Sequence, residues 1–474
     1  MIKVALNDMN YRFAIYQILN MYYQFEKIEF TDKDYYYKFI IHKGKLEIYL
    51  EENMEVEYFL NEENEKEELK RVLFEYLKMK SEKILPWGIL SGIRPTKQIH
   101  KIINNYKDKE TIIKIFMDKY LTSLEKAELC YETALIEKNI VNKEQNNISI
   151  YIGMPFCPTR CTYCSFTSNP IAKCKKLVNP YIEALMREID EISKFISDKN
   201  LKIQNVYFGG GTPTSVDEEN FSYLMDKIFV SFIQNKNIQE FNVECGRPDS
   251  ITEEKLLIMK KYGVNRISIN PQTMNDETLK KIGRNHNTKD VIEKFHLARK
   301  CGFSNINMDL IIGLPGEKIE HVKKTVNEIK KLNPDNITVH GMSIKRASKL
   351  HENLLNGKFK LEEQNNLNQM FDLTRTLSNE LSMHPYYLYR QKNMVGNMEN
   401  LGYSKIGKEG IYNIQIIEEK QTIIALGADA VTKIVHLEED RIDRVANLKD
   451  VREYISRIEE KIKVKIGKLE KLYN

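Results

Sequence analysis

Cys157, Cys161 and Cys164 lie in one run, Met154-Pro-Phe-Cys-Pro-Thr-Arg-Cys-Thr-Tyr-Cys-Ser-Phe166, spaced C-x3-C-x2-C. Three thiolates from one tight loop can hold three irons of a cubane iron–sulfur cluster and leave the fourth iron without a protein sulfur. An iron left open in this way can take a small chelating ligand, whereas four-cysteine runs close that position and only move electrons. Two other readings compete: a zinc site completed by Cys174, and buried inert thiols. Structural zinc sites usually draw their sulfurs as two separated pairs. Three cysteines within eight residues, beside Pro, Arg and Thr, do not read as core, so the cluster is the preferred reading.

Other chemistry-bearing residues follow at intervals. Gly209-Gly-Gly-Thr-Pro-Thr214 comes directly after a short apolar run. Consecutive glycines let backbone groups approach a ligand where a Cβ would collide, although an ordinary glycine-rich turn reads the same in isolation. Glu244, in Phe241-Asn-Val-Glu-Cys-Gly-Arg-Pro248, and Asp309, in Asn307-Met-Asp-Leu-Ile-Ile-Gly-Leu-Pro-Gly316, are single acids among apolar residues. A charge in such a place is costly unless it finds a partner. Gln272 stands in Arg266-Ile-Ser-Ile-Asn-Pro-Gln-Thr273 and Arg284 in Lys281-Ile-Gly-Arg-Asn-His286. An arginine here could grip a ligand carboxylate bidentately. A solvated strand end for Glu244 and a helix-end cation for Arg284 are the plain alternatives.

These residues need a frame that gathers them. Residues 148 to 340 repeat a beat of short apolar strand, turn and amphipathic helix, with strands expected at 148–152, 205–208, 241–245, 266–270, 307–311 and 336–340. Between the first two, residues 180–195 place Ile182, Leu185, Met186, Ile189 and Ile192 at helical spacing. Strands alternating with helices predict parallel pairing and right-handed crossovers, here an α/β fold curved into an incomplete (β/α)6 barrel. Chemistry in such folds gathers on loops after the carboxyl ends of strands, and the cysteine loop follows the first strand.

Residues 1 to 145 read as an N-terminal α+β and helical domain, with a hairpin at 35–41 and 45–51 and a charged helix at about 64–83. Residues 146–344 are the barrel. Residues 345–474 are expected as a C-terminal, mostly helical α+β domain covering the substrate, with a helix at 361–383.

The 474 residues carry 72 Lys and Arg against 67 Asp and Glu, a net charge of +5 with the signs interleaved. That balance argues against a dedicated nucleic-acid surface. Seven cysteines, with Cys130, Cys174, Cys245 and Cys301 scattered, suit a reducing compartment. No apolar run approaches the roughly 18 to 20 residues that span a bilayer. The opening Met1-Ile-Lys-Val-Ala-Leu-Asn-Asp8 lacks a basic stretch followed by an apolar one, so a cytoplasmic protein is expected, with a monomer as default.

Taken together, the motifs resemble those of the oxygen-independent coproporphyrinogen III oxidase family of the radical S-adenosylmethionine (SAM) superfamily. The resemblance is strong over 148–340. Pro86-Trp-Gly, Gly92-Ile-Arg-Pro-Thr-Lys97 and Tyr386-Tyr-Leu-Tyr-Arg-Gln-Lys-Asn393 look like its HemZ-like branch and extend the match. The resemblance implies a 4Fe–4S cluster on Cys157, Cys161 and Cys164, with one or two SAM molecules. It implies SAM contacts from Tyr151, Tyr163, Gly210, Gly211, Thr212, Glu244, Gln272, Arg284 and Asp309.

In the family a 5′-deoxyadenosyl radical takes a hydrogen from the β-carbon of a propionate. Loss of carbon dioxide and an electron then leaves a vinyl group, giving protoporphyrinogen IX after two rounds. The implied partners are a tetrapyrrole substrate and an electron donor such as flavodoxin or ferredoxin. Tyr387, Arg390 and Lys392, with Arg346 after the sixth strand, are candidates to cover the ring and hold propionates, the plain alternative for 386–392 being a half-buried strand with a polar edge. His286, His340 and His384 receive no role. Two departures stand out: Gly153 where well-studied oxidases carry His, and Phe166 where they carry Cys. A haem-binding chaperone with this fold, or an enzyme acting on another tetrapyrrole, therefore remains as an alternative.

Overall fold

A computed structural model of the protein describes residues 1–42, 44–164, 168–345, 348–357 and 359–473. Arg346 and Phe166 lie outside them. The chain forms two compact units: one of residues 1–131, 361–369 and 390–399, the other of 132–360, 370–389 and 400–474. The units do not follow the expected boundaries at 145 and 344.

All six expected strands form in the second unit: β1 (Asn147–Met154), β2 (Lys202–Gly210), β3 (Glu240–Glu244), β4 (Arg266–Ser268), β5 (Ile306–Ile312) and β6 (Asn336–Gly341). Each pairs in parallel with the next. The crossover helix Ile171–Asp198 contains Pro180 and buries Ile182, Leu185, Met186, Ile189 and Ile192, as its spacing predicts.

The C-terminal third mixes helices and strands, as the expected α+β character requires, and its strands extend the barrel sheet. β7 (His384–Tyr389), β8 (Asn400–Ser404), β9 (Thr422–Leu426), β10 (Val431–His436) and β11 (Arg441–Ala446) all join the same sheet. The sheet has eleven strands in the order β7-β8-β6-β5-β4-β3-β2-β1-β9-β10-β11. β8 lies antiparallel on β6 and β9 parallel on β1. The physical reason is the two open edges of a six-stranded partial barrel, whose unpaired backbone groups need partners. No pairing joins β7 to β11 among the described residues, so the sheet remains open.

Down these strands polar residues recur at every second position: Ser149, Tyr151; Asn205, Tyr207; Asn242, Glu244; Arg266, Ser268; Asn307, Asp309; Asn336, Thr338, His340. A period of two puts each set on one face of the sheet. Their mutual hydrogen bonds show that face to be shared: Arg266 donates to Asn336 Oδ1 at 3.0 Å, Thr338 Oγ1 to Asn307 Oδ1 at 3.0 Å and Asn307 Nδ2 to Asp309 Oδ1 at 2.7 Å. The intervening Val206, Val243, Ile267, Met308, Ile337 and Val339 are buried on the other face.

The first unit carries a five-stranded sheet in the order Ile28–Phe30, Ile2–Leu6, Tyr37–His42, Lys45–Leu50, Asn53–Phe59. Tyr37–His42 and Lys45–Leu50 are the expected hairpin, and Glu65–Ser81 the expected charged helix. Helices Arg12–Tyr22 and Glu65–Ser81 cover the sheet through Ile15, Ile18, Leu19, Leu69, Leu73 and Phe74. Trp87 is buried in this unit, with Nε1 donating to Glu399 at 2.7 Å. Glu399 also takes Lys126 Nζ at 2.7 Å.

Candidate functional site

The three thiols sit where β1 ends. Phe156–Cys157 pairs with Asn169–Pro170, which closes the base of the loop carrying the other two cysteines. Cys164 N–H donates to the carbonyl of Cys161 at 3.2 Å, turning the chain between them. Cys157 is buried; Cys161 and Cys164 are half-buried. Burial pushes the Cys157 thiol up, against the hydroxyls of Ser168 and Thr212, which favour its thiolate. A bound cation is what would settle that balance toward the thiolate.

The end of β2 packs directly on this loop. Gly211 N–H donates to Met154 O at 2.5 Å and Thr212 N–H to Phe156 O at 2.8 Å, while Thr212 Oγ1 lies 3.6 Å from Cys157 Sγ. A Cβ on Gly211 would stand 2.5 Å from Phe156 O and 2.9 Å from Cys157 Sγ. Gly210 takes φ 101°, where L side chains are strained. The space that a side chain would fill at Gly211 therefore belongs to the cysteine loop, and these glycines first of all serve its close approach.

The turn after residue 281 holds the loop from the other side. Thr162 N–H donates to Ile282 O at 3.0 Å and Thr159 Oγ1 to Gly283 O at 2.9 Å. Arg284 is buried there, with Nη1 on the carbonyls of Asn270 (2.6 Å) and Gly246 (3.2 Å) and Nη2 on Tyr163 Oη (3.2 Å). Burial opposes its charge, but Tyr163 and Cys161 outweigh burial and hold the guanidinium more firmly protonated than usual. Its Nε is buried without a partner among the described residues.

Glu244 and Asp309 supply the acids. Tyr207 Oη bonds Glu244, whose carboxyl is pushed up to about 7, first by burial and then by the charge of Asp309. Burial also presses on Asp309, but hydrogen bonds from His340, Asn307 and Thr338 hold it below the usual carboxylate range. His340 Nε2 lies 3.7 Å from Asp309 Oδ2, and its Nδ1 is 3.1 Å from Asn400 Oδ1. Two acids on one face, pushed apart in this way, keep one ionised and the other close to half-protonated at neutral pH.

Gln272 has φ 66°; its N–H donates to Asp309 O at 2.9 Å and its carbonyl accepts from Ile311 at 2.9 Å. Gln272 lines a small cavity with Thr273, Leu310 and Glu317, and its Oε1 is buried without a partner among the described residues. Tyr151 stacks on Tyr207 at 6.0 Å and on Tyr412 at 6.1 Å. Tyr412 belongs to helix Ile411–Glu418, whose first two N–H groups donate to the carboxylate of Glu240 at 2.8 and 3.1 Å.

The residues expected to meet the substrate fall in different units. Tyr387 lies in the second unit, buried with Tyr386 and Ile414, and its ring covers Gly402, where a Cβ would stand 2.0 Å away. Arg390 lies in the first unit, 6% exposed, 5.3 Å above the Trp87 ring. Its guanidinium is spent on the carbonyls of Leu90, Asn397 (2.6 Å) and Met398 (3.5 Å). Three of the five N–H groups of the buried Arg390 guanidinium are thus engaged by carbonyls of its own unit, and a substrate contact from it stays a proposal. Lys392 is exposed in that same unit, and Arg346 lies outside the described residues.

Five residues join the site that motif reading did not assign to it: Tyr207, Arg247, Asn270, His340 and Tyr412. Asn270 Oδ1 accepts from Asp309 N–H at 3.2 Å, and Arg247 Nη1 lies 4.0 Å from Cys161 Sγ. The period-two polar positions of β2 and β6 would have found Tyr207 and His340.

The residues present fit a three-thiolate cluster with an organic chelator. The thiols share one loop at the end of β1, and the site adds a buried guanidinium with an unpartnered Nε and two acids of opposite shift. The described helices include none long and apolar enough to cross a membrane.

Comparison with known proteins gives the same reading. Residues 151–329 match the family model of the Radical SAM superfamily. The chain is 43% identical over 392 residues to the oxygen-independent coproporphyrinogen-III oxidase-like protein HemZ of Bacillus subtilis (strain 168), covering 82% of this chain and 77% of that one. It is 32% identical over 313 residues to heme chaperone HemW of the same organism, covering 66% and 76%. Among solved structures, coproporphyrinogen III oxidase (HemN) from Escherichia coli, a radical SAM enzyme, superposes with a TM-score of 0.53 at 20% identity over 70% of this chain and 73% of that one, a likeness of fold.

Proposed function

The chain belongs to the radical SAM superfamily and, within it, to the coproporphyrinogen-III oxidase-like family of HemZ, and from that membership we propose an oxygen-independent oxidative decarboxylase of coproporphyrinogen III. The observation that carries the reading is the C-x3-C-x2-C loop at the carboxyl end of β1, packed against the glycine turn of β2 and beside the acids of β3 and β5. When bound, a cluster with SAM on its open iron supplies a hydrogen-atom abstractor strong enough for an unactivated C–H bond.

The chain's own part is holding and shielding. Cys157, Cys161 and Cys164 would hold the irons, with Thr212 beside the Cys157 sulfur. Glu244, about half-ionised at neutral pH, would take the ligand's ammonium group in its ionised form, and Arg284 Nε its carboxylate. Tyr151 and Tyr163 would cover the ligand's flat and apolar parts, and Asp309, held ionised by His340, would accept from hydroxyls. Tyr387, buried on β7, is the remaining aromatic candidate on the substrate side, and Lys392 a candidate cation. A one-electron donor such as flavodoxin or ferredoxin, and a cytoplasmic location, belong to the same proposal.

A haem-binding role is the second reading, supported by the 32% identity to HemW and by Gly153 and Phe166 in place of the oxidases' His and Cys. Anaerobic turnover of the reconstituted protein with coproporphyrinogen III, SAM and dithionite separates them. Mass spectrometry should show carbon dioxide loss and vinyl products in step with 5′-deoxyadenosine. Untouched substrate with uncoupled 5′-deoxyadenosine, together with stoichiometric haemin binding and a Soret band, would favour the carrier.

A further inference from the structure

Arg247 follows β3 by three residues and is 3% exposed, yet it belongs to none of the motifs that hold SAM. Its guanidinium is locked by Asp249: Nε donates to Oδ1 at 3.0 Å and Nη2 to Oδ2 at 2.8 Å. This bidentate fork leaves Nη1 aimed at the cysteine loop, 3.2 Å from Thr159 O and 4.0 Å from Cys161 Sγ. The loop is held in a ring of contacts, since Thr159 Oγ1 donates to Gly283 O and Arg284 Nη1 donates back to Gly246 O. Ser250 Oγ, which donates to Arg247 O at 2.8 Å and pairs with Thr214 Oγ1 at 2.7 Å, fixes the backbone under the arginine.

We propose that the Arg247–Asp249 pair is a positioning device for the cluster, with its positive end held against the Cys161 sulfur. A fixed cation a few ångströms from a ligating sulfur in a poorly solvated site stabilises the electron-richer, reduced cluster. It therefore raises the reduction potential, and Asp249 limits the rise by standing behind the arginine. The pair is neutral as a whole and acts as a dipole. Cys161 thus has two buried guanidinium groups near it, Arg284 toward the ligand side and Arg247 from β3. The proposal rests on the cluster reading above, and its test separates the two.

The test is a redox titration of the anaerobically reconstituted full chain without SAM, followed by electron paramagnetic resonance of the reduced cluster. Arg247→Gln keeps a donor for Thr159 O but removes the charge, and leaves only His286, 3.8 Å away, beside the Asp249 carboxylate; its midpoint potential should fall. Asp249→Asn leaves the arginine uncompensated; its midpoint should rise. Arg247→Lys should lie between wild type and Arg247→Gln. Shifts of opposite sign are something that a purely structural role would not give. Wild-type midpoints in both Arg247→Gln and Asp249→Asn, or shifts of the same sign, overturn the proposal. If Arg247→Gln takes up too little iron to titrate, Asp249→Asn decides alone. Failure of the wild type to bind iron would instead sink the cluster reading itself.

Discussion

Tyr207 and Glu244 form a hydrogen-bonded pair on adjacent parallel strands, and the hydroxyl meets the carboxylate on the polar face of the sheet. The pair makes the site pH-sensitive. Glu244 sits at about 7 against 4.5 for an ordinary glutamate, so its neutral form is the one that folding favours. Stability from this group is fully present below pH 4.5 and is lost as pH rises through about 7. Glu244→Gln should therefore stabilise the apo-protein at pH 8, by on the order of 3 kcal/mol, and by much less at pH 5. SAM binding should run the other way, strengthening in the wild type as Glu244 ionises near pH 7 and losing that dependence in Glu244→Gln. Chemical denaturation at the two pH values and calorimetric titration with SAM check both halves. Equal stability of wild type and variant at pH 8 would refute the buried-carboxyl argument.

Cys161→Ala should abolish the brown absorbance of the reconstituted protein and all SAM cleavage. Cys161 is half-buried and lies outside every strand and helix, so the apo-fold should melt within a few degrees of wild type. Iron and sulfide analysis with circular dichroism gives the answer. Cys174→Ala, which lies in helix Ile171–Asp198, should keep full iron content; loss of metal there would revive the four-thiolate zinc reading.

Much of this arrangement was legible from residue order. The six barrel strands, the hairpin and the crossover helix announced themselves by period and by turn residues, because local pattern dictates local structure. The cysteine loop, Glu244, Arg284 and Asp309 were legible for another reason: unusual residue types cost free energy unless they do something. What escaped was non-local. Nothing in Thr422–Leu426 says that it will lie parallel on a strand some 270 residues earlier, since edge pairing is settled only once the sheet exists. Arg390 is ambiguous in the sequence, because its aromatic neighbours are as compatible with a ring-binding patch as with a buried guanidinium over Trp87. The polar period within β2 and β6 runs against expectation, because strands buried on both faces are expected to be wholly apolar.

Arg390→Met should act on stability and leave substrate affinity alone. The substitution removes three donors to buried carbonyls and a cation over the Trp87 ring, a loss of roughly 2 to 4 kcal/mol. Trp87 is the only tryptophan, so its fluorescence reports the first unit specifically, while far-ultraviolet circular dichroism follows both. The fluorescence transition in urea should move to lower denaturant with the KM for tetrapyrrole unchanged. A raised KM with an unmoved transition would return Arg390 to the substrate.

Lys465→Met should be among the most damaging single changes far from the cysteines. Lys465 and Glu188 are both fully buried and ion-paired. Glu188 also accepts from Gly427 N–H at 2.8 Å, Tyr454 Oη at 2.7 Å and Asn447 Nδ2 at 2.8 Å. Removing the lysine strands a buried carboxylate, which costs about 3 to 5 kcal/mol. The damage should reach the cysteine loop, because the same turn at Gly427 packs against Gly153 O, which takes the hydroxyl of Tyr181 at 2.5 Å. Tyr181 in turn sets its ring edge-on to Phe156 at 5.5 Å, next to Cys157. The variant should therefore melt lower and also lose iron faster to a chelator at a temperature where both proteins are folded. Replacing both partners, Lys465→Met with Glu188→Leu, should recover most of the melting temperature, since no buried charge is left unpaired. A double variant no more stable than Lys465→Met alone would mean that Glu188 earns its place through Gly427, Tyr454 and Asn447 and not through the ion pair.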